Sequence, residues 1–200
     1  MPAARLLAVA LLALLVGLPA SAQAPRLSPS APRVLFRVAD SVKTDGGQRE
    51  LVTRTVTYDP AAGLYTDRTT GADGRVLSES VERTSVIGPT PAEAAAARRL
   101  VASHPEIAPL IEAAGGTVHV EGGFPLVREP GHPCGPGGRC VLIDVFETSA
   151  DRLPRPGGAT ARRLRYVVVD LRALRVLDAD ADPAGDGNLA NPAARRRSRQ

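Results

Sequence analysis

Two cysteines and three histidines carry most of the chemistry this 200-residue chain could offer. Cys134 and Cys140 flank Gly135-Pro136-Gly137-Gly138-Arg139. Redox-active pairs characteristically enclose two residues, and this pair encloses five. Outside the cytoplasm, two cysteines across a glycine-rich turn are expected to oxidise to a structural disulfide. Closing so short a loop is worth only about 2 kcal/mol, so the bridge pins a hairpin and does not hold the fold. His132 precedes Cys134 by two residues, a spacing that could suggest a Cys/His nucleophile pair. A disulfide removes the thiolate that such chemistry requires. His104 precedes Pro105, and His119 falls in a strand candidate. None of the three shows the i, i+4 pairing of a metal site. Asp178, Asp180, Asp182 and Asp186 alternate like the opening of a calcium loop. However, Pro183 stands where an EF-hand needs glycine, and Leu189 where it needs glutamate, so a solvated acidic linker is expected. There is no Gly-x-Ser-x-Gly elbow, P-loop, dinucleotide fingerprint or His-Glu-x-x-His. The reading therefore assigns no catalytic, cofactor-binding or metal-ligating residue. If a site were assembled from residues distant in sequence, Asp144, Glu147 and His132 would be the contributors to expect.

The composition, 44% hydrophobic and 23% charged, is compatible with a packed core. There are only three Phe and three Tyr and no Trp, so that core must rely on Val, Leu, Ile and Ala. The same scarcity argues against a carbohydrate-stacking surface or a single-strand nucleic-acid platform, since both use exposed rings. The formal charge of +4 resides at the ends of the chain. Arg5 lies near the start, and Arg195, Arg196, Arg197 and Arg199 lie near the finish. Setting those five aside leaves 20 of the 25 basic side chains against 21 acidic ones, a body with no nucleic-acid signature.

Residues 1–22 read as a cleaved signal peptide. Arg5 supplies the positive start, Leu6 to Leu18 the apolar run, and Ala20-Ser21-Ala22 the small residues of a cleavage site. The 13-residue run is short of the ~20 residues a spanning helix needs, so no stable membrane span is expected after cleavage. The expected location is secreted or periplasmic. Residues 23–32 form a linker containing Pro25, Pro29 and Pro32. A single domain is expected over 33–178, and a disordered tail, acidic then basic, over 179–200.

Within 33–178 the period-two stretches predict strands at Val34–Val38, Glu50–Tyr58, Leu64–Thr69 and Arg75–Val86, joined antiparallel by short turns. Thr90-Pro91-Ala92-Glu93 is a capping box with proline at the first helical position, and helix formers follow to Ala102. Pro105 interrupts, and Ser103-His104-Pro105-Glu106 repeats the start signal. Ile107, Leu110, Ile111 and Ala114 then mark an apolar face, and Gly115-Gly116 a stop. Further strands are expected at Thr117–Val120, Gly123–Val127, Val141–Phe146, Arg163–Asp170 and Leu174–Leu177. The fold class is α+β, with antiparallel strands flanking a capped, proline-interrupted helical segment.

This order resembles the cystatin-like modules found as amino-terminal domains of copper amine oxidases and as secreted PepSY modules. The resemblance rests on Thr90-Pro91-Ala92-Glu93, on Gly122-Gly123-Phe124, and on Tyr166-Val167-Val168-Val169-Asp170 turning into Leu174-Arg175-Val176-Leu177-Asp178. PepSY modules usually place glycine in that last turn, where this chain has Leu171-Arg172-Ala173. The resemblance implies a noncatalytic binding or accessory module without cofactor, whose partner is a protein or peptide.

Overall fold

The computed structural model describes residues 27–43, 46–148, 161–182 and 188–190. The expected signal peptide at 1–22, the arginines at 195, 196, 197 and 199, and Asp186 lie outside them. Two four-stranded antiparallel sheets follow one another along the chain, separated by the helical segment.

The first sheet is a meander of β1 (Arg33–Lys43), β2 (Arg49–Asp59), β3 (Leu64–Gly71) and β4 (Val76–Glu82), paired in that order. β1 runs well beyond the five residues the sequence marks, because Ala39 to Lys43 continue the ladder against Thr53 to Arg49 without any apolar alternation. On β2 the period-two face does bury Val52, Val56 and Tyr58. The opposite face sets Thr53, Thr55 and Thr57 beside Thr70, Arg68 and Thr66 of β3. β4 is exposed along its whole length and ends at Glu82, short of the expected Val86.

Helix α1 (Pro91–Ala102) begins on the capping box: Thr90 Oγ1 accepts from Glu93 N, and Glu93 Oε2 accepts from Thr90 N. Ser103 closes this helix instead of opening the next, its backbone N–H donating to Arg99 O and its hydroxyl to the same carbonyl. The reason is Pro105, which supplies no N–H and disfavours helical geometry at His104. The second helix, α2 (Ala108–Glu112), is therefore only five residues long and has no side-chain cap. Its predicted apolar face survives in part, since Ile107 is fully buried and Ile111 packs on the core.

The second sheet comprises β5 (Thr117–Leu126), β6 (Cys140–Thr148), β7 (Ala161–Asp170) and β8 (Arg175–Asp178), again in sequence order. β5 is one strand where the sequence suggests two. Gly122 and Gly123, at φ 111° and 109°, form a bulge through which the pairing with β6 resumes. A Cβ at Gly122 would stand 2.9 Å from Leu142 O, so only glycine fits. The sheet is covered on both faces at its centre. Ala97 and Val101 of α1, with Ile107, pack on Val141, Ile143, Val145, Val167 and Val169. On the other side Cys134, Leu126 and Ala181 cover Leu142 and Val168. Two-sided burial explains why β6 reads as a continuous apolar run and not as an alternation. Each such side chain is worth roughly 1.5–3 kcal/mol once fully buried.

The tail departs from expectation. Ala179 and Ala181 are buried in the two clusters, and Ala181 N donates to Tyr166 O at 2.7 Å. Asn188 closes on β5, accepting from Val127 N and donating to Pro125 O. The alternation that reads as an acidic linker is a strand-like one, with small residues turned inward between aspartates. No helix among the described residues is long and apolar enough to cross a membrane.

Candidate binding cleft

The two sheets meet where the β2–β3 hairpin docks on the cysteine loop and the β7–β8 turn. Tyr58 and Tyr65, stacked at 4.6 Å, donate their hydroxyls to Gly137 O and Gly138 O. Arg172 donates to Pro60 O and Ala61 O. Gly63, at φ 65°, lies so close to Gly137 that a Cβ on it would stand 2.9 Å from the Gly137 carbonyl. The Cys134–Cys140 disulfide, with a Cα–Cα separation of 5.4 Å, closes the loop that receives this hairpin. The turn itself uses Leu174, not glycine, at φ 53°, and Asp170 Oδ1 steadies it by accepting from Arg172 N and Ala173 N.

A buried charge triad lies at the same junction. Glu93 is fully buried and accepts from Arg139 Nε and Nη2, both at 2.7 Å, and from Arg33 Nη1 at 3.0 Å. Arg139 also donates to Ile87 O and Gly88 O, and Arg33 to Leu171 O. One carboxylate thus ties the start of β1, the first turn of α1 and the cysteine loop together. Burial by itself would raise the Glu93 pKa, but the hydrogen bonds and charge of Arg139 outweigh it and hold the carboxyl below its ordinary value. Burial raises the pKa of Tyr58 and Tyr65 alike, so both rings are neutral hydrogen-bond donors.

Beside this junction opens a cleft of about 570 Å³. Its base is the inner face of β2 and β3, where Val56 and Tyr65 lie with the ion pair of Arg54 and Asp67. One wall is the end of β4 and the extended stretch to Ile87, and the other is Val127 to Pro130 with Pro136 and Leu189. Arg54 Nε donates to Asp67 Oδ1 at 3.0 Å, and its bonds hold the Asp67 carboxyl below its ordinary range. Glu82 stands on the β4 wall and Glu129 on the other beside Arg128, both glutamates are exposed, and neither has an ion-pair partner among the described residues. The volume lies within the usual range for a ligand site, and the lining mixes apolar surface with charge.

The residues of the rival catalytic constellation are not brought together. Asp144 is bonded to Arg163 Nε and Nη2 at 2.9 and 3.0 Å, and Glu147 to Arg162. Three residues apart on one strand, the two carboxylates face opposite sides of the sheet. The Arg162 hydrogen bond holds the Glu147 carboxyl below its ordinary range. His132 accepts from Cys134 N at 3.0 Å, beside the start of β6 at Cys140. Seven residues of strand, roughly 23 Å, separate that point from Glu147. His119 bonds Thr148 and stacks on Phe146, and His104 accepts from Glu106 N, so each histidine has a local structural partner. Among the aspartates, Asp178 accepts from Asp180 N, while Asp186 lies outside the described residues. No group of three or more potential metal ligands occurs among the described residues.

The cleft residues escape a motif search because no two of them are adjacent in a recognisable pattern. One signal is present. Arg54 falls on the apolar period-two face between Val52 and Val56, and a charge there needs a partner in space. No family model matches the chain, and no curated protein matches it at a significant level.

Proposed function

We propose that the protein is a secreted or periplasmic, noncatalytic binding module of cystatin-like design that engages a protein or peptide. One observation carries the reading. Of the ten large hydrophobic residues left exposed among the described residues, eight lie on the strands of the first sheet: Val34, Phe36, Val38, Val42, Leu51, Val76, Leu77 and Val81. Exposed apolar side chains gathered on one element, and not scattered singly, mark a contact surface. Among the described residues β1 and β4 are also edge strands, which can accept an added strand. Support for the cystatin-like part is the order helix, then four antiparallel strands packed against it, over Pro91–Asp178. Support for the location is the disulfide, which persists in oxidising compartments.

The test places a photo-reactive phenylalanine at Val81, at Val42 or at Arg98, an exposed position on α1, in protein returned to the extracytoplasmic fraction of its own organism. The reading expects a discrete adduct from a first-sheet position, abolished by excess unlabelled protein, and none from Arg98. Equal, unsaturable labelling from all three positions would refute it.

A further inference from the structure

We infer that the cleft between the sheets is the seat of an extended, positively charged peptide, which adds as a strand to the open edge of β4. The inference rests on the binding-module reading above and specifies its site and the chemistry of its partner. Three features converge on it. First, β4 is the last strand of its sheet and is exposed along all seven residues, so its outer backbone groups have no neighbouring strand among the described residues. A strand whose edge is open offers main-chain hydrogen bonds to any extended segment, while pockets for alternate side chains supply selectivity. Second, the chain beyond β4 does not turn back to cover that edge. It runs out along the cleft as an extended wall to Ile87, with Val86 half exposed. A peptide paired on β4 therefore lies alongside the cleft and turns every second side chain into it.

Third, the charges of the cleft select the occupant. Arg54 and Asp67 neutralise each other through paired hydrogen bonds. Glu82 and Glu129 remain, one on each wall, with Arg128 beside Glu129, so the lining keeps an excess of one carboxylate, and among the described residues neither glutamate is paired to a cation. An arginine or lysine of the peptide reaching between them gains two charge-assisted hydrogen bonds, whereas an acidic side chain meets like charge. Beside these carboxylates, Val56 and Tyr65 of the base and Val127 of the wall offer an apolar surface suited to a branched aliphatic side chain two residues along. The recognised motif is thus an extended segment in which a basic and an apolar residue alternate with outward-facing ones.

The probe is a fluorescein-labelled heptapeptide, lysine-threonine-valine-threonine-valine-threonine-lysine, measured by anisotropy on the full mature chain. Saturable binding that weakens as salt is raised is expected. Glu82→Gln and Glu129→Gln each weaken it by roughly tenfold, the value of one charge-assisted hydrogen bond. Both side chains are exposed, so the variants should melt with the parent protein. Two further peptides carry N-methyl groups on alternate sets of amides, and strand addition requires that one set abolish binding and the other be tolerated. The inference is overturned if the heptapeptide fails to bind at millimolar concentration, if its glutamate counterpart binds equally, or if both N-methylated sets bind alike. Any of these results together with a specific adduct at Val42 would remove this site and leave the binding-module reading intact. Loss of all first-sheet adducts would remove the reading itself.

Discussion

Glu93→Gln is the substitution that should damage this fold most for the smallest change in shape. Glutamine keeps the side-chain length and can still accept from Thr90 N, so the helix cap is largely spared. What disappears is the only carboxylate among the described residues that is bonded to Arg139 and Arg33, whose side chains are 4% and 8% exposed. Two buried guanidinium groups are left without a counter-ion, and removing one partner of a buried ion pair costs about 3–5 kcal/mol. With a urea m-value of roughly 2 kcal/mol per molar, the unfolding midpoint should fall by roughly 2 M. Arg33→Met should be milder, because it leaves Glu93 and Arg139 as a balanced pair. It also removes Arg33 Nε, a buried donor that has no partner among the described residues. The linkage has a definite sign. The folded pKa of Glu93 lies below its ordinary 4.5, so the stability it brings is complete above that value and is lost as pH falls through the folded pKa. Parent and Glu93→Gln curves should therefore converge in acid. Equilibrium urea denaturation between pH 3 and 7 reads all of this. A midpoint shift of a few tenths molar at pH 7, or a gap that does not close in acid, would refute the reasoning.

Three further outcomes follow from the junction and its loop. Replacing Cys134 and Cys140 together by serine should lower stability by about 2 kcal/mol while leaving far-ultraviolet circular dichroism unchanged, because the closed loop is short. Gly63→Ala should cost more than about 1 kcal/mol in the same denaturation assay, since the residue combines φ 65° with a carbonyl 2.9 Å from the added Cβ. Tyr58 and Tyr65 have folded pKa values raised above the ordinary 10, so the stability they bring is complete below pH 10 and is lost as pH rises towards the folded values. Phenolate absorbance at 295 nm should accordingly show two of the three tyrosines titrating late and together with alkaline unfolding.

The parts of this fold that the sequence makes legible are those whose causes are local. Thr90-Pro91-Ala92-Glu93 announces a helix start because the hydrogen bonds involved span three residues. Val52, Val56 and Tyr58 announce a strand because alternation is a property of the strand alone. Legibility fails where one segment does two jobs. Ser103-His104-Pro105-Glu106 carries the letters of a helix start, yet Ser103 is already engaged in ending α1. Asp178-Ala179-Asp180-Ala181-Asp182 has strand periodicity, but its inward residues are too small to register as apolar, and the acidic ones dominate the reading. Glu93 is the sharpest case. The sequence accounts for it fully as a capping residue, so nothing prompts a search for Arg33 and Arg139, 60 and 46 residues away. The cleft shares that origin. Its base comes from the inner face of β2 and β3, and its walls from the segments after β4 and after β5, so it exists only because the triad and the Gly63–Gly137 contact hold two sheets at one angle. A site of this kind leaves no motif. Its trace in the sequence is a set of small local anomalies — an arginine on an apolar face, an edge strand without a cover, paired glycines in a loop — whose common cause is a second surface packed against the first.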